Sequence, residues 1–216
     1  MAKLKIAVLI SGRGSNLQAL IDACRDADYP AEIGLVLSNV GGAAGLERAR
    51  EADIPTAVIG HKDFEDRKGF EDALLGELGR AGVGLVCLAG FMRLLSEHFL
   101  RPWHNRVVNI HPSLLPSFEG VHVHERVIES GARLSGCTVH IVRPAMDSGP
   151  IIIQAAVPVH PGDSPETLAA RVLEQEHRIY PMAVRYIAES RLRIVAERVI
   201  IDGASAPDAA LCNPSS

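Results

Sequence analysis

An asparagine and a histidine lie two positions apart in the stretch NIHPSLLPSFEG, residues 109–120, directly after the apolar run RVV. Side chains two apart on a strand point to the same face, so Asn109 and His111 would emerge together, roughly 6.6 Å apart along the backbone. An amide can donate a hydrogen bond to a developing oxyanion, and an imidazole can give or take a proton near neutrality. The pair suits acyl or formyl transfer. The alternative is structural, with both side chains satisfying nearby backbone groups.

A carboxylate follows in the stretch AMDSGPII, residues 145–152, where Asp147 precedes an apolar run. Near His111, this carboxylate would raise the pKa of the imidazole and stabilise its cation. The commoner use of an aspartate in such a sequence is as a plain turn residue. We therefore treat Asp147 as a candidate partner of His111 and keep the turn as the alternative.

A glycine-rich stretch, SGRGSN at residues 11–16, follows the first apolar run and precedes a helical pattern. Its glycines allow a tight turn, and the helix N-terminus directs N–H groups and positive dipole towards an anion. A dinucleotide loop is disfavoured, because Leu17 replaces the third glycine and no acidic residue ends the second strand at LVLSN. The stretch predicts a phosphate site, and the alternative is a glycine turn whose Ser15 caps a helix.

Two charged side chains interrupt apolar helix faces. Glu176 lies within an apolar stripe, and a carboxylate there needs a partner: a ligand amine or hydroxyl, or an arginine such as Arg185 or Arg193. Arg67 shares a face with apolar side chains, and extension of its charged end into water is the simple explanation.

Histidines and cysteines give weak support for a metal. His122, His124 and His140 lack a clear further ligand and a supporting cysteine cluster, so we expect no metal site. The four cysteines have no CxxC spacing, which favours buried thiols over bridges or metal ligands.

Length and composition suit one globular α/β domain. The chain has 216 residues, 47% of them hydrophobic and 22% charged, with a net charge of -4. This charge gives no general attraction to nucleic acids or anionic membranes, so we expect neither as a partner. The first apolar run, IAVLI, is too short to span a membrane and lacks a cleavage site, which predicts a cytoplasmic protein.

Strand-length apolar runs alternate with helical patterns along the chain, beginning with KIAVLIS and SNLQALIDACRDA. This βαβ repetition predicts a Rossmann-like, open, mostly parallel twisted sheet with helices on both faces. The later runs SGCTVHIV and PIIIQAAVPV are joined by a link too short for a helix, so antiparallel strands are expected at the C-terminal side. In such sheets, ligands bind beyond the carboxyl ends of the strands, where the three stretches above fall.

The C-terminal part is expected to hold one long helix and one strand. The helix should have Ser164 as N-cap and Pro165 at its first position, and should bend or break near Pro181. RLRIVAERVII is then predicted to be a final edge strand. We expect a single domain over residues 1–201 and a flexible tail over residues 202–216.

Several motifs, in this order over residues 4–201, resemble the phosphoribosylglycinamide formyltransferase family. They are SGRGSNLQAL, LAGFMRLL, NIHPSLLPSFEG, GCTVHIV, DSGPII and EQEHRIYP. The resemblance implies the formyltransferase fold and transfer of a formyl group, without a metal, from 10-formyltetrahydrofolate to the amine of glycinamide ribonucleotide, in purine biosynthesis. The expected partners are thus small molecules. A homodimer is an option that the sequence leaves open.

The resemblance also assigns roles to residues. Asn109, protonated His111 and Asp147 match the catalytic trio, with Asp147 raising the pKa of His111. The remaining matches are the phosphate loop (Gly14, Ser15, Asn16), the sugar or amine contact (Glu176) and the folate contacts (Arg67, Met92, Arg93, Leu94, Leu95, Asn109). Ser117, Glu119 and Leu173 depart from the family pattern, which bears on substrate affinity more than on reaction type.

Rival functions within the same fold carry expectations of their own. A methionyl-tRNA formyltransferase should carry a further C-terminal domain and a basic surface. A formyltetrahydrofolate hydrolase should carry an N-terminal regulatory domain, whereas the first strand here starts within six residues of Met1. A non-catalytic folate or nucleotide binder would not need Asn109, His111 and Asp147 together.

Overall fold

The computed structural model describes residues 2–214 of the chain. The strands in this range are β1 Leu4–Ile10, β2 Ala31–Ser38, β3 Thr56–Val58, β4 Leu85–Leu88, β5 Val107–His111, β6 Leu134–Ile141, β7 Ile151–Pro158, β8 Leu192–Val195 and β9 Arg198–Ile201. The α-helices are α1 Ser15–Cys24, α2 Gly45–Glu51, α3 Arg67–Ala81, α4 Glu97–Leu100, α5 Val123–Glu129 and α6 Pro165–Ala188, and a 3₁₀ turn covers His61–Asp63.

A seven-stranded sheet has the strand order β3-β2-β1-β4-β5-β6-β7. Strand β1 pairs in parallel with β2 and β4, and the pairs β2–β3 and β4–β5 are also parallel. Strands β6 and β7 pair antiparallel, as the short link between them predicted. The predicted fold class, mostly parallel α/β with antiparallel strands at the C-terminal side, is confirmed.

Contacts divide the chain into two compact units. One comprises the chain up to Asn109 together with Ile141–Pro144, and the other comprises Ile110–His140 and the chain from Ala145 onward. The single domain expected over residues 1–201 stays a prediction. Residues 215 and 216 of the expected tail lie outside the described residues, and the flexibility of the tail also stays a prediction.

The first unit has its core on the parallel strands. Buried side chains of β1 and β2 pack with residues of α3 and α4 and with Trp103, which follows α4; examples are Leu9, Leu37, Leu74 and Phe99. Helix α3 starts where the Asp66 carboxylate accepts a hydrogen bond from the Gly69 N–H at 2.7 Å, a side-chain N-cap. This cap fixes Arg67 as the first residue of α3.

The second unit is organised by α6, which contacts β7 and α5. The helix begins as predicted: Ser164 is the N-cap, Pro165 is the first residue, and Ser164 and Thr167 form a capping box. It then continues through Pro181 to Ala188, so a break near Pro181 was wrong, and a bend there stays a prediction. Buried side chains on both sides of Pro181, Tyr180 and Val184 among them, hold the helix in place by packing.

The prediction of a final edge strand was also wrong. RLRIVAERVII forms a hairpin in which β8 and β9 pair antiparallel in a separate two-stranded sheet. Ala196 and Glu197 connect the strands, and both have positive φ, 47° and 57°. Two consecutive left-handed residues suit a two-residue turn that matches the twist of the strands. Neither is a typical residue for this turn, so residue types could not predict it.

Candidate active site

Strand β5 positions Asn109 and His111. Val108 and Ile110, which alternate with them along the strand, are buried and anchor it in the sheet. Asn109 is half-buried and pairs in register with Leu88 of β4, and His111 is only 5% exposed. A histidine at this depth needs partners for both ring nitrogens.

Both ring nitrogens of His111 face acceptors. Nδ1 lies 3.4 Å from Oδ2 of Asp147, and Nε2 lies 3.0 Å from the main-chain oxygen of Phe118. A carbonyl oxygen can only accept, so Nε2 carries a hydrogen. The Asp147 carboxylate lies at ion-pair distance from Nδ1, so a positive charge on the ring would have a negative partner beside it.

Asp147 is held in place from two sides. Its φ is 50°, in the left-handed region, and its Oδ2 accepts a hydrogen bond from the Gly120 N–H at 2.9 Å. Its other carboxylate oxygen, Oδ1, lies 3.8 Å from Nε2 of His140, which is 2% exposed. Asp147 is thus a turn residue whose side chain also reaches two imidazoles, so the turn interpretation and the partner interpretation both describe it.

The loop after His111 is fixed by polar side chains from β6 and β7. The Thr138 hydroxyl accepts from the Leu115 N–H at 3.1 Å and donates to the Ser113 oxygen at 2.7 Å. Gln154 Nε2 donates to the Leu115 oxygen at 2.9 Å. These bonds hold Ser113 and Leu115, in the same loop as Phe118 and Gly120, whose main-chain groups contact His111 and Asp147. Sequence reasoning missed Thr138 and Gln154, although a polar residue within an apolar strand run was a signal for each.

The glycine-rich stretch forms the turn into α1. Gly14 is the N-cap of the helix, with φ 71° and no side-chain cap, so Ser15 is the first helical residue and the idea that it caps the helix was wrong. A Cβ on Gly14 would lie 2.7 Å from Cα of Gly45, the first residue of α2. Both the backbone conformation and this close approach require a glycine at position 14.

Further hydrogen bonds hold the outer part of this turn. The Gly45 N–H donates to the Gly12 oxygen at 3.0 Å, and the Arg48 guanidinium donates to the Arg13 oxygen at 3.0 Å. Asn16, in the first turn of α1, is 8% exposed. The turn thus presents the positive end of α1 on a well-anchored backbone, a suitable arrangement for an anion.

Glu176 is buried in the second unit. It lies on α6 and is 8% exposed. Burial, with a smaller contribution from the negative charge of Glu176, raises the pKa of Cys137 on β6 to about 12. The two arginines considered as its partners form ion pairs with other carboxylates, Arg185 with Glu189 at 3.5 Å and Arg193 with Asp202 at 3.1 Å.

The segment Met92–Leu95 exposes two large apolar side chains. Met92 is 70% exposed and Leu94 is 62% exposed, whereas Leu95 is buried. Arg67 does not simply extend into water, because its guanidinium pairs with Glu71 at 3.1 Å and donates to the Leu94 oxygen. Arg67 therefore lies beside the Met92–Leu95 segment. Residues that contact one folate would have to lie close together in this way.

The histidines considered as metal ligands have other surroundings. His122 contacts Glu125 at 3.0 Å, and burial lowers the pKa of His124. Across residues 2–214, the histidine, cysteine and acidic side chains form no group of three or more that could hold a metal ion. Within the same range, no helix is long and apolar enough to cross a membrane.

Comparison with known proteins identifies relatives over nearly the whole chain. Residues 4–184 match the formyl transferase family. The phosphoribosylglycinamide formyltransferase of Haemophilus influenzae is 44% identical, over 97% of this chain and 99% of that protein. The crystal structure of glycinamide ribonucleotide transformylase 1 from Symbiobacterium toebii matches with a TM-score of 0.90 and 48% identity, over 92% of this chain and 94% of that one.

A second group of relatives is much longer. The trifunctional purine biosynthetic protein adenosine-3 of Drosophila pseudoobscura pseudoobscura is 53% identical over 89% of this chain, which spans 14% of that protein. The family match covers most of the chain, and the Haemophilus influenzae relative matches nearly its whole length at 44% identity. The chain therefore belongs to the formyl transferase family.

Proposed function

We propose that the chain transfers the formyl group of 10-formyltetrahydrofolate to the amine of glycinamide ribonucleotide, a step of purine biosynthesis. The observation that carries the proposal is the buried His111–Asp147 contact of 3.4 Å at the end of β5. Two bacterial relatives of similar length are named phosphoribosylglycinamide formyltransferase, which supports glycinamide ribonucleotide as the acceptor.

The trio would act on the oxygen of the transferred formyl group. The substrate amine attacks the formyl carbon, the new C–N bond forms, and the carbonyl π pair moves to the oxygen. The Asn109 amide would then donate to this oxyanion, and the positive charge of His111 would stabilise it. The Asp147 carboxylate would stabilise the positive charge on His111 by Coulomb attraction.

Completion of the transfer moves one proton. The attacking nitrogen loses a proton, which Asp147 accepts through water. The pair on the oxyanion then re-forms the C=O bond as the bond between the formyl carbon and N10 of the folate breaks. The electron pair of the broken bond stays on N10, and the same proton is returned there. The products are the formylated amine and tetrahydrofolate, and proton transfers of this kind contribute about 10²- to 10⁴-fold in rate.

The ribonucleotide would bind through its phosphate and its sugar or amine. The backbone N–H groups of Gly14, Ser15 and Asn16 would hold the phosphate, since helix N-termini bind such anions. Glu176 would accept a hydrogen bond from a sugar hydroxyl or the amine. Its burial supports this role, because a buried carboxylate forms stronger hydrogen bonds with a ligand than an exposed one.

The folate would bind at the Met92–Leu95 segment. Exposed Met92 and Leu94 provide apolar surface for a flat ring, and the main chain of Arg93 and Leu95 provides polar groups beside it. Arg67 would add a charged contact, and Asn109 would contact the formyl end of the folate.

The direct test is turnover of a 10-formylfolate analogue followed by absorbance, with and without glycinamide ribonucleotide. We expect turnover that depends on the ribonucleotide and is lost in His111→Ala. His98→Ala is the matched control, because His98 also contacts a carboxylate, Asp72 at 2.6 Å, but at an exposed site. Equal turnover without the ribonucleotide would instead indicate a hydrolase, and binding without turnover would indicate a carrier.

A further inference from the structure

Glu71 of α3 is buried more completely than any carboxylate described above. It is 1% exposed, although its helix lies on the surface of the first unit and its neighbour Asp72 has a side chain 47% exposed. A buried carboxylate is costly unless several donors compensate for the lost water. The position of these donors shows what the residue holds.

The donors to Glu71 come from the end of the Met92–Leu95 segment. Oε1 accepts from the Ser96 N–H at 2.7 Å and from the Arg67 guanidinium at 3.1 Å. Oε2 accepts from the Ser96 hydroxyl. Arg67 in turn donates to the Leu94 oxygen. One carboxylate thus fixes the C-terminal end of the segment directly and its middle through Arg67.

The N-terminal end of the segment has an anchor of its own. The Met92 N–H donates to the Ser11 hydroxyl at 2.8 Å, and this hydroxyl donates to Asn39 at 2.6 Å. The segment is therefore held at both ends while Met92 and Leu94 stay exposed between them. Apolar side chains held on a fixed backbone and exposed to solvent are typical of a binding surface.

We propose that Glu71 is a positioning residue that holds Arg67 and the Met92–Leu95 segment in the shape that receives the formyl folate. The inference rests on the proposed function, since it assumes that this segment binds the folate. Glu71 touches neither substrate, so its loss should weaken folate binding without changing the chemical step. Charge is part of the role, because hydrogen bonds to an ionised acceptor are the stronger kind.

The test compares Glu71→Gln with Asp72→Asn. Both changes replace a carboxylate by its amide on adjacent positions of α3, but Asp72 contacts Lys68 and His98 rather than the segment. In Glu71→Gln we expect KM for the 10-formylfolate analogue to rise about tenfold. KM for the ribonucleotide and kcat should stay within about twofold, and Asp72→Asn should leave all three unchanged.

A second readout follows the segment without turnover. Amide hydrogen exchange of residues 92–96 should be about tenfold faster in Glu71→Gln than in the wild type, with α3 itself unchanged. A general loss of folding would instead speed exchange throughout the first unit.

The outcomes separate the two proposals. Suppose that the wild type turns over, but Glu71→Gln behaves like Asp72→Asn or raises both KM values equally. Only the proposed role of Glu71 is then overturned. If the wild type does not turn over, the proposed function fails, and the affinity of the folate analogue is then measured directly. Failure of the wild type to bind the analogue overturns both proposals.

Discussion

Two buried carboxylates, Glu71 in the first unit and Asp147 in the second, have different kinds of partner. Glu71 accepts from an arginine, a main-chain N–H and a hydroxyl. None of these donors changes its protonation near neutral pH. Asp147 also accepts from a main-chain N–H, but its other contacts are the rings of His111 and His140. Imidazoles gain and lose a proton in this range.

The difference matches the two proposed roles, in which Glu71 fixes geometry and Asp147 handles protons. Fixed donors keep a carboxylate ionised and immobile, which suits a residue that holds a loop. Titratable neighbours let a carboxylate share a proton, which suits a residue at a reaction centre. Burial alone would not separate the two, because both side chains are at most 11% exposed.

Loss of His111 should reduce activity more than any other change. His111→Ala removes the positive charge that would stabilise the oxyanion, so kcat should fall about 10³-fold. Folding should be retained, as checked by circular dichroism and urea unfolding. A variant with near wild-type kcat would place the chemistry elsewhere and leave the His111–Asp147 contact a structural feature.

Asp147→Asn should have the next largest effect. The amide keeps the shape and can still accept from the Gly120 N–H, but it no longer favours the imidazolium. We expect kcat to fall about 10²-fold, because the negative charge beside the ring is lost. Steady-state rates of the variant and the wild type test the point, and a near wild-type kcat would mean that Asp147 acts only by position.

Glu71→Ala should affect stability more than Asp147→Asn. The change leaves the buried Ser96 N–H and the Arg67 guanidinium without their acceptor, so the free energy of unfolding should fall by about 2 kcal/mol. Asp147→Asn, which keeps an acceptor, should cost less than half of this. Urea unfolding of the two variants measures both values, and equal costs would remove the distinction between holding and reacting residues.

The residues around Asp147 could largely be predicted from the sequence. Asn109, His111 and Asp147 are chemically distinctive residues beside apolar strand runs, and the order of such runs predicted the sheet. The main-chain groups of Phe118 and Gly120 that contact His111 and Asp147 could not be predicted, because every residue carries the same groups. Their use depends on how the loop turns.

Glu71 could not be predicted, for a different reason. Its donor Ser96 lies 25 residues away, and a glutamate on a helix of mixed polarity is usually solvated. The β8–β9 hairpin could not be predicted either, because its turn residues Ala196 and Glu197 are not typical of two-residue turns. Local patterns thus predicted the main sheet and the His111–Asp147 contact, whereas other long-range polar contacts required the three-dimensional structure.

Asp163, just before α6, has partners that resemble those of Glu71. Its replacement should change stability by a smaller amount. It forms two hydrogen bonds of 2.8 Å with Arg171 and accepts from the His160 N–H and the Thr167 hydroxyl. Chiefly through the Arg171 hydrogen bonds, these contacts hold the pKa of Asp163 well below its usual range.

A depressed pKa in the folded state means that Asp163 stabilises the fold above its unfolded value of 3.8 and loses this contribution as the pH falls further. Asp163→Asn should therefore cost about 1 kcal/mol at about pH 7 and progressively less below about pH 4. Urea unfolding over this range measures the difference, with Asp72→Asn at the exposed ion pair as control. A cost that stays constant with pH would show that shape, rather than charge, accounts for the contribution of a carboxylate with fixed donors.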